Sequence, residues 1–349
     1  MAAPLSIDVV DGVATVTIQN PPINLFDLGL YLAMAETAGA LAADDSVRVV
    51  VLRSSTPGFF IAHFDVTLIQ QLPTDTPPSD TLNAFHAMCE AFRTMPKATI
   101  AVIEGRVGGG GSELALSCDM RFAALESAVF NQPEVALGII PGGSGTVRLS
   151  RLMGRSRSLE VILGCDDFDA AMAERYGWVN RALPSAELWP FVNRLAARLA
   201  SFPPHAVRAA KQAVLRAEGD LHTDLVAEAA AFSGTLGNQR AIDAMAAFMA
   251  SGGQTVEGES RLGELVRRVA GRGGRQIVAA VQSCLVLHRE QVAEVTPKQS
   301  RPRSLLDVFG SVSERKSPDK TSVISHKIVG FPYSDCSLTC GLLILVRLT

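Results

Sequence analysis

The chain is short of several things that would direct a first reading. Lysine is rare: six of 349 residues, of which only Lys97 and Lys211 precede Gly271. Aromatic residues make up 6%, and no basic stripe with interleaved aromatics runs through the first 271 residues, which excludes a surface for stacking nucleic-acid bases. The formal net charge of −3 points the same way. Six cysteines (89, 118, 165, 284, 336 and 340) form no C-x-x-C pair and have no histidine at ligand spacing, so neither a zinc site nor a disulfide framework is indicated. Cys336 and Cys340 read as incidental thiols. The opening MAAPLSIDVV has no basic segment leading into an apolar one, so no secretory signal is expected and the chain reads as cytoplasmic. The apolar run Leu342 to Leu348 is far too short to span a bilayer, and no membrane partner is expected. A serine-nucleophile motif is missing as well, because Gly142 to Thr146 reads G-G-S-G-T where G-x-S-x-G is needed.

What is present gathers in one stretch, Lys97 to Thr146. Thr99 to Glu104 (TIAVIE) is a short, β-branched apolar run and reads as a buried strand. It leads into Gly108, Gly109, Gly110 and Gly111, after which Ser112 is placed to cap a helix carrying Leu114, Ala115, Leu116 and Cys118. Strand, glycine turn and helix start deliver free backbone N–H groups where negative charge is stabilised. A dinucleotide fingerprint from Gly108 fails, because its sixth position is Glu113, which repels a pyrophosphate. A phosphate loop fails for want of a lysine. Two readings stay open on the residues alone: a flexible glycine connection, or an oxyanion hole with a carboxylate three residues beyond it.

The second half of the stretch resembles the crotonase superfamily of enoyl-CoA hydratases and isomerases. The resembling motifs are G-G-G-S-E at 109–113, C-D at 118–119, F-N-Q-P-E-V at 130–135 and G-x-x-P-G-G-x-G-T at 138–146. A fifth, A-E-R-Y-G-W-V-N at 173–180, resembles the family's A-x-x-x-G-L-V-N. The family's A-F-x-A-G-x-D segment is met by Gly58 to Asp65 (GFFIAHFD), where Ala62 and Asp65 match and His63 stands in place of Gly.

The resemblance implies an α/β fold of the ClpP/crotonase type, a ββα spiral with a C-terminal helical trimerisation region. It also implies a thioester oxygen held by the N–H groups of Ala62 and Gly110, each such donor being worth ~3 kcal/mol. Glu113 is then the base on the attacking water and Glu134 the acid. The coenzyme A portion of the substrate is expected against Ile61, Ala62, His63, Asp65, Gly109, Gly110, Pro133 and Gly142, with a Gly142 N–H near the water. Coenzyme A is part of the acyl-CoA substrate, and no permanently bound cofactor or metal is implied. The His63 ring is expected along the pocket wall, narrowing the acyl side or touching the CoA arm, and it motivates an alternative reading as a catalytically weak acyl-CoA-binding protein. Asp65 has a capping role as its alternative. A homotrimer or dimer of trimers is implied, and the apolar residues around Ile242, Met245, Phe248 and Met249 serve either that interface or the core.

Elsewhere Ile7 to Ile18 reads as a hairpin about Asp11-Gly12, Leu28 to Ala43 as a helix and Val47 to Leu52 as a buried strand. Leu82, Phe85, Cys89 and Phe92 recur at helical spacing. His86, on or near that face, is assigned no role. Helical segments follow at 146–153, 155–163, 169–176, 186–201, 204–217 and 224–250, with a final one from Thr255 to Val269. Residues 1–195 are expected to form the spiral core with the active site, and 196–271 a helical lid or oligomerisation region. Through Gly271 there are 21 Lys+Arg and 29 Asp+Glu, a net of −8; the remaining 78 residues hold 11 and 6, a net of +5. Residues 272–349 are therefore expected to be a poorly ordered tail foreign to the domain.

Overall fold

A computed structural model describes residues 3–270 apart from 75, 76 and 78. The expected tail at 272–349 lies outside the described residues.

The N-terminal hairpin forms as its turn residues require. Strands β1 (Leu5–Val10) and β2 (Val13–Ile18) pair antiparallel around Asp11 and Gly12, whose φ angles of 50° and 78° are the two positive values a tight hairpin turn needs. Helix α1 (Leu28–Ala43) begins where the Asp27 side chain accepts the Leu30 N–H at 2.8 Å. The chain then repeats one move. Strand β3 (Val49–Ser54) joins the large sheet and β4 (Phe59–Ile61) the small one, followed by helices α2 (Val66–Ile69) and α3 (Ala84–Thr94). Strand β5 (Ala98–Ile103) returns to the large sheet, β6 (Arg106–Gly108) to the small, and helix α4 (Gly109–Leu116) follows. Strands β7 (Met120–Ala124) and β8 (Val129–Asn131) do the same, and a 3₁₀ turn (Glu134–Leu137) leads to α5 (Gly145–Met153) and α6 (Arg155–Gly164). Strand β9 (Phe168–Asp169), helix α7 (Ala170–Tyr176) and strand β10 (Arg181–Leu183) close the spiral.

The large sheet has the order β1-β2-β3-β5-β7-β10 and is parallel from β2 onward; the small sheet is β4-β6-β8-β9. All six residues of β5 are buried, which explains its unbroken apolar run. Helices α8 (Ser185–Ala200), α9 (Pro204–Ala217), α10 (His222–Leu236), α11 (Gln239–Ala250) and α12 (Val256–Glu259) complete the fold, with residues 262–270 helical again. The single segment expected at 224–250 is thus two helices broken at Gly237-Asn238. Met245 and Phe248 lie in the core with Leu262 and Leu265, whereas Ile242 is exposed. Among the described residues no helix is long and apolar enough to cross a membrane.

Helix α4 differs from its sequence reading. It starts at Gly109, with Gly108 as N-cap and no capping side chain, so Ser112 is not a cap. Instead Ser112 is buried inside the helix and its Oγ accepts the Trp178 Nε1–H at 3.2 Å. All eight residues of α4 are buried. That is possible because Gly111 brings the helix onto β4: a Cβ there would stand 2.6 Å from Ile61 Cβ.

Candidate active site

Glu113 lies on the buried helix α4, and its Oε1 accepts two backbone N–H groups, Gly143 at 2.9 Å and Gly145 at 2.8 Å. Gly142, expected to offer an N–H near the water, packs beside Phe232, whose ring would lie 2.5 Å from a Cβ there. Glu134 opens the 3₁₀ turn after Pro133 and is 9% exposed. The Gln132 Nε2 donates to Glu134 Oε2 at 3.3 Å. A Cβ built on Gly145 would meet both Glu113 Oε1 (2.9 Å) and Gln132 Nε2 (3.0 Å), so the carboxamide stands between the two acids.

Burial and repulsion from Glu134 and Glu228 push the Glu113 carboxyl well above the usual carboxylate range, against the pull of its two N–H donors. Burial likewise raises Glu134 to about 7, opposed by its own backbone N–H, by His63 and by Gln132. Burial and mutual repulsion thus favour the protonated forms of both carboxyls.

The N–H groups expected to hold a thioester oxygen differ in their partners. The Ala62 N–H is committed to the Ile23 carbonyl at 3.2 Å. Phe64 forms a parallel bridge with Phe26, in which Phe26 N–H donates to His63 O (2.9 Å) and Asp65 N–H to Phe26 O (3.2 Å). That pairing uses the groups either side of Phe64 and turns the Phe64 N–H the other way, where it has no acceptor among the described residues. It faces Gly110, on which a Cβ would lie 3.6 Å from Phe64 N. The Gly110 N–H is itself in the first turn of α4, where helical N–H groups lack an intrahelical partner. The free pair is therefore Phe64 and Gly110. Gly109 shapes the same floor with a φ of +44°, and a Cβ there would meet Glu134 Oε1 at 2.8 Å and His63 Cβ at 3.1 Å. The Phe85 ring covers the space, its Cζ 3.3 Å from the Cβ position of Gly110 and its Cε1 2.5 Å from that of Gly143.

The remaining expected residues divide. Ile61 is wholly buried under α4 and serves packing. Asp65 caps α2 by accepting the Thr67 N–H at 2.8 Å, its bland alternative. The His63 ring, expected along the pocket wall, makes its contacts with the loop and the C-terminal helices. It is 4% exposed and turns toward the C-terminal helices, with Nδ1 2.7 Å from Phe64 O and Nε2 3.0 Å from Glu259 Oε1, edge-on to Phe248. A cavity of about 170 Å³ lined by Arg48, Lys97, Phe202 and Arg208 includes none of these residues, and nothing in its lining resembles an acid–base site.

Sequence reasoning missed Glu228. This α10 residue is 4% exposed, and its carboxylate accepts Ser144 N–H (2.7 Å), Thr146 N–H (2.8 Å), the Thr146 hydroxyl and His86 Nε2 (3.0 Å). Nothing local marks it, since its partners lie far away in sequence.

Two backbone N–H groups without acceptors thus lie beside two buried carboxyls on a ββα spiral. The enoyl-CoA hydratase/isomerase family model matches residues 8–253. A short-chain-enoyl-CoA hydratase of Clostridium acetobutylicum is 33% identical over 239 residues, 68% of this chain and 91% of that protein. A crotonyl-CoA hydratase of Syntrophomonas wolfei is 33% identical over 65% of this chain and 87% of that one. A crystal structure from Streptomyces avermitilis superposes with a TM-score of 0.70 at 38% identity, covering 76% of this chain and 98% of the other. The chain belongs to the enoyl-CoA hydratase/isomerase family and has the crotonase fold.

Proposed function

We propose that this enzyme hydrates the 2,3 double bond of an enoyl-CoA thioester. The observation that carries the reading is the placement of Glu113 and Glu134, buried and raised in proton affinity together, next to the free Phe64 and Gly110 N–H groups. The thioester oxygen accepts those two N–H groups, and as water attacks C3 the π electrons move onto that oxygen as an enolate. Fixed donors lower this barrier because charge grows where they already point. Glu113 takes the water's proton, its Oε1 steadied by Gly143 and Gly145. Glu134 gives a proton to C2, the enolate collapses, and the sum is water added across the bond. An isomerase needs one acid to move one proton; two carboxyls around one carboxamide suit the handling of a water. Coenzyme A enters only as the thiol half of the substrate.

Residues 1–195 as core, 196–271 as helical cover and a homotrimer or dimer of trimers remain part of this proposal, which exposed Leu159 and Leu163 on α6 suit. The test is a panel of 2-enoyl-CoA thioesters followed by loss of the conjugated-thioester absorbance, with 3-enoyl-CoA thioesters run in parallel. Hydration of at least one 2-enoyl substrate is expected; isomerisation of 3-enoyl substrates with no hydration would overturn the reading.

A further inference from the structure

His63 and Glu259 are a buried pair that the hydration scheme does not use. The contacts of the imidazole favour its charged form. Nδ1 faces the Phe64 carbonyl at 2.7 Å and Nε2 faces Glu259 Oε1 at 3.0 Å. Both oxygens are acceptors, and a neutral imidazole has a single N–H to offer. A proton on that glutamate oxygen would weaken it as acceptor of the Gln254 N–H, which it takes at 2.7 Å. Moved to Oε2, it would be a buried donor with no partner. An imidazolium facing a carboxylate satisfies every contact.

The same segment holds the loop elsewhere. Gln254 accepts the Val66 N–H on its Oε1 at 2.8 Å and donates from Nε2 to Asp65 Oδ1 at 3.0 Å. Residues 63, 65 and 66 are thus tied to Gln254 and Glu259, and Phe64, with its free N–H, is carried between them. Both partners lie beyond residues 8–253, the span matched by the family model. The charges around the ring are Glu259 from α12, Glu134 from the 3₁₀ turn, Asp65 from its own loop and Arg106 from β6, which acts on Glu259. Burial opposes the charge on His63, yet Glu259, Phe64 O and Glu134 outweigh it and raise the imidazole to about 9.

We propose that His63 is an imidazolium which, clamped by Glu259, positions the Phe64 N–H against Gly110 and sets a positive charge beside Glu134. It is a positioning residue, and the proposal rests on the reading of Phe64 and Gly110 as oxyanion donors. His63→Gln keeps the ring's hydrogen-bonding reach and loses its charge. It should lower kcat about tenfold with KM nearly unchanged, as expected when a transition-state donor is displaced. It should also move the whole pH profile of kcat/KM upward by roughly 1 unit, because Glu134 loses a cation. Glu259→Gln should give the same direction of change. A lower melting temperature with an unmoved pH profile would reduce the pair to packing and overturn the proposal.

A second measurement needs no substrate and so separates this idea from the reaction assigned above. Imidazole ¹⁵N–¹H correlation spectra of the unliganded full chain at pH 8 should show both His63 nitrogens protonated; one protonated nitrogen would overturn the clamp. The stability it adds has a defined window. His63 is raised from 6.5 to about 9, so its contribution is full below 6.5 and lost as pH rises through about 9. Glu259 is lowered from 4.5, so its contribution is present above 4.5 and lost as pH falls through its folded value.

Discussion

Two glutamates share the turn from Gly143 to Thr146 and take its N–H groups alternately. Glu113 accepts from residues 143 and 145, Glu228 from 144 and 146. The alternation is made possible by Ser144, whose φ of 100° reverses the direction of successive amides. Beyond this the two differ. Glu228 adds the Thr146 hydroxyl and His86, so both of its oxygens are doubly bonded to donors. Glu113 uses Oε1 alone, and its Oε2 has no hydrogen bond among the described residues. A carboxylate with every acceptor filled holds structure together, whereas one with a spare oxygen is able to receive a proton.

The largest effect that tests the contrast is on turnover. Glu113→Gln and Glu134→Gln should each reduce hydration about a thousandfold while binding of an unreactive acyl-CoA stays nearly constant, measured by steady-state kinetics and calorimetric titration. Wild-type turnover in either would remove the distinction between a working carboxylate and a bracing one. Glu228→Ala should instead act on stability, costing about 3 kcal/mol in urea unfolding, because it leaves His86 and two backbone N–H groups buried without acceptors. Thr146→Val, which takes one donor from Glu228, should cost about 1.5 kcal/mol by the same measurement.

The smallest effect has the opposite sign. Because Glu113 is raised in the folded protein, the fold binds its proton more tightly than the unfolded chain, and stability falls as pH rises above 4.5. Glu113→Gln removes that loss, so its melting temperature should exceed that of the parent at pH 8 and not at pH 4. Equal differences at both pH values would mean that the buried charge does not limit stability.

Much of this was legible in the sequence where a residue acts on its near neighbours. Asp11-Gly12 fixed the hairpin turn, the limits of α1 followed from local patterning, and β5 lies one residue before the expected 99–104. The motif matches brought Glu113 and Glu134 to one site. What escaped depends on contacts between distant segments. The direction of an amide N–H is set by the strand beside it, so the claim of Phe64 over Ala62 rests on Phe26 and Ile23. The partners of His63 were equally hidden, because its acceptors are supplied by Phe64 and the distant Glu259. Ser112 has the chemistry of a cap, but the glycines let the helix begin four residues earlier.

The bond between Trp178 and Ser112 gives the enzyme an internal optical reporter. The chain has two tryptophans. Trp178 is 1% exposed, lies against Phe130 and Phe168 and donates to the helix that carries Gly110 and Glu113. Trp189 is only partly buried, under the Arg53 guanidinium 4.6 Å from its ring. Their emission should separate, Trp178 supplying the blue edge and Trp189 the red. Fluorescence at the blue edge is then weighted toward the helix that carries Gly110 and Glu113, without a label.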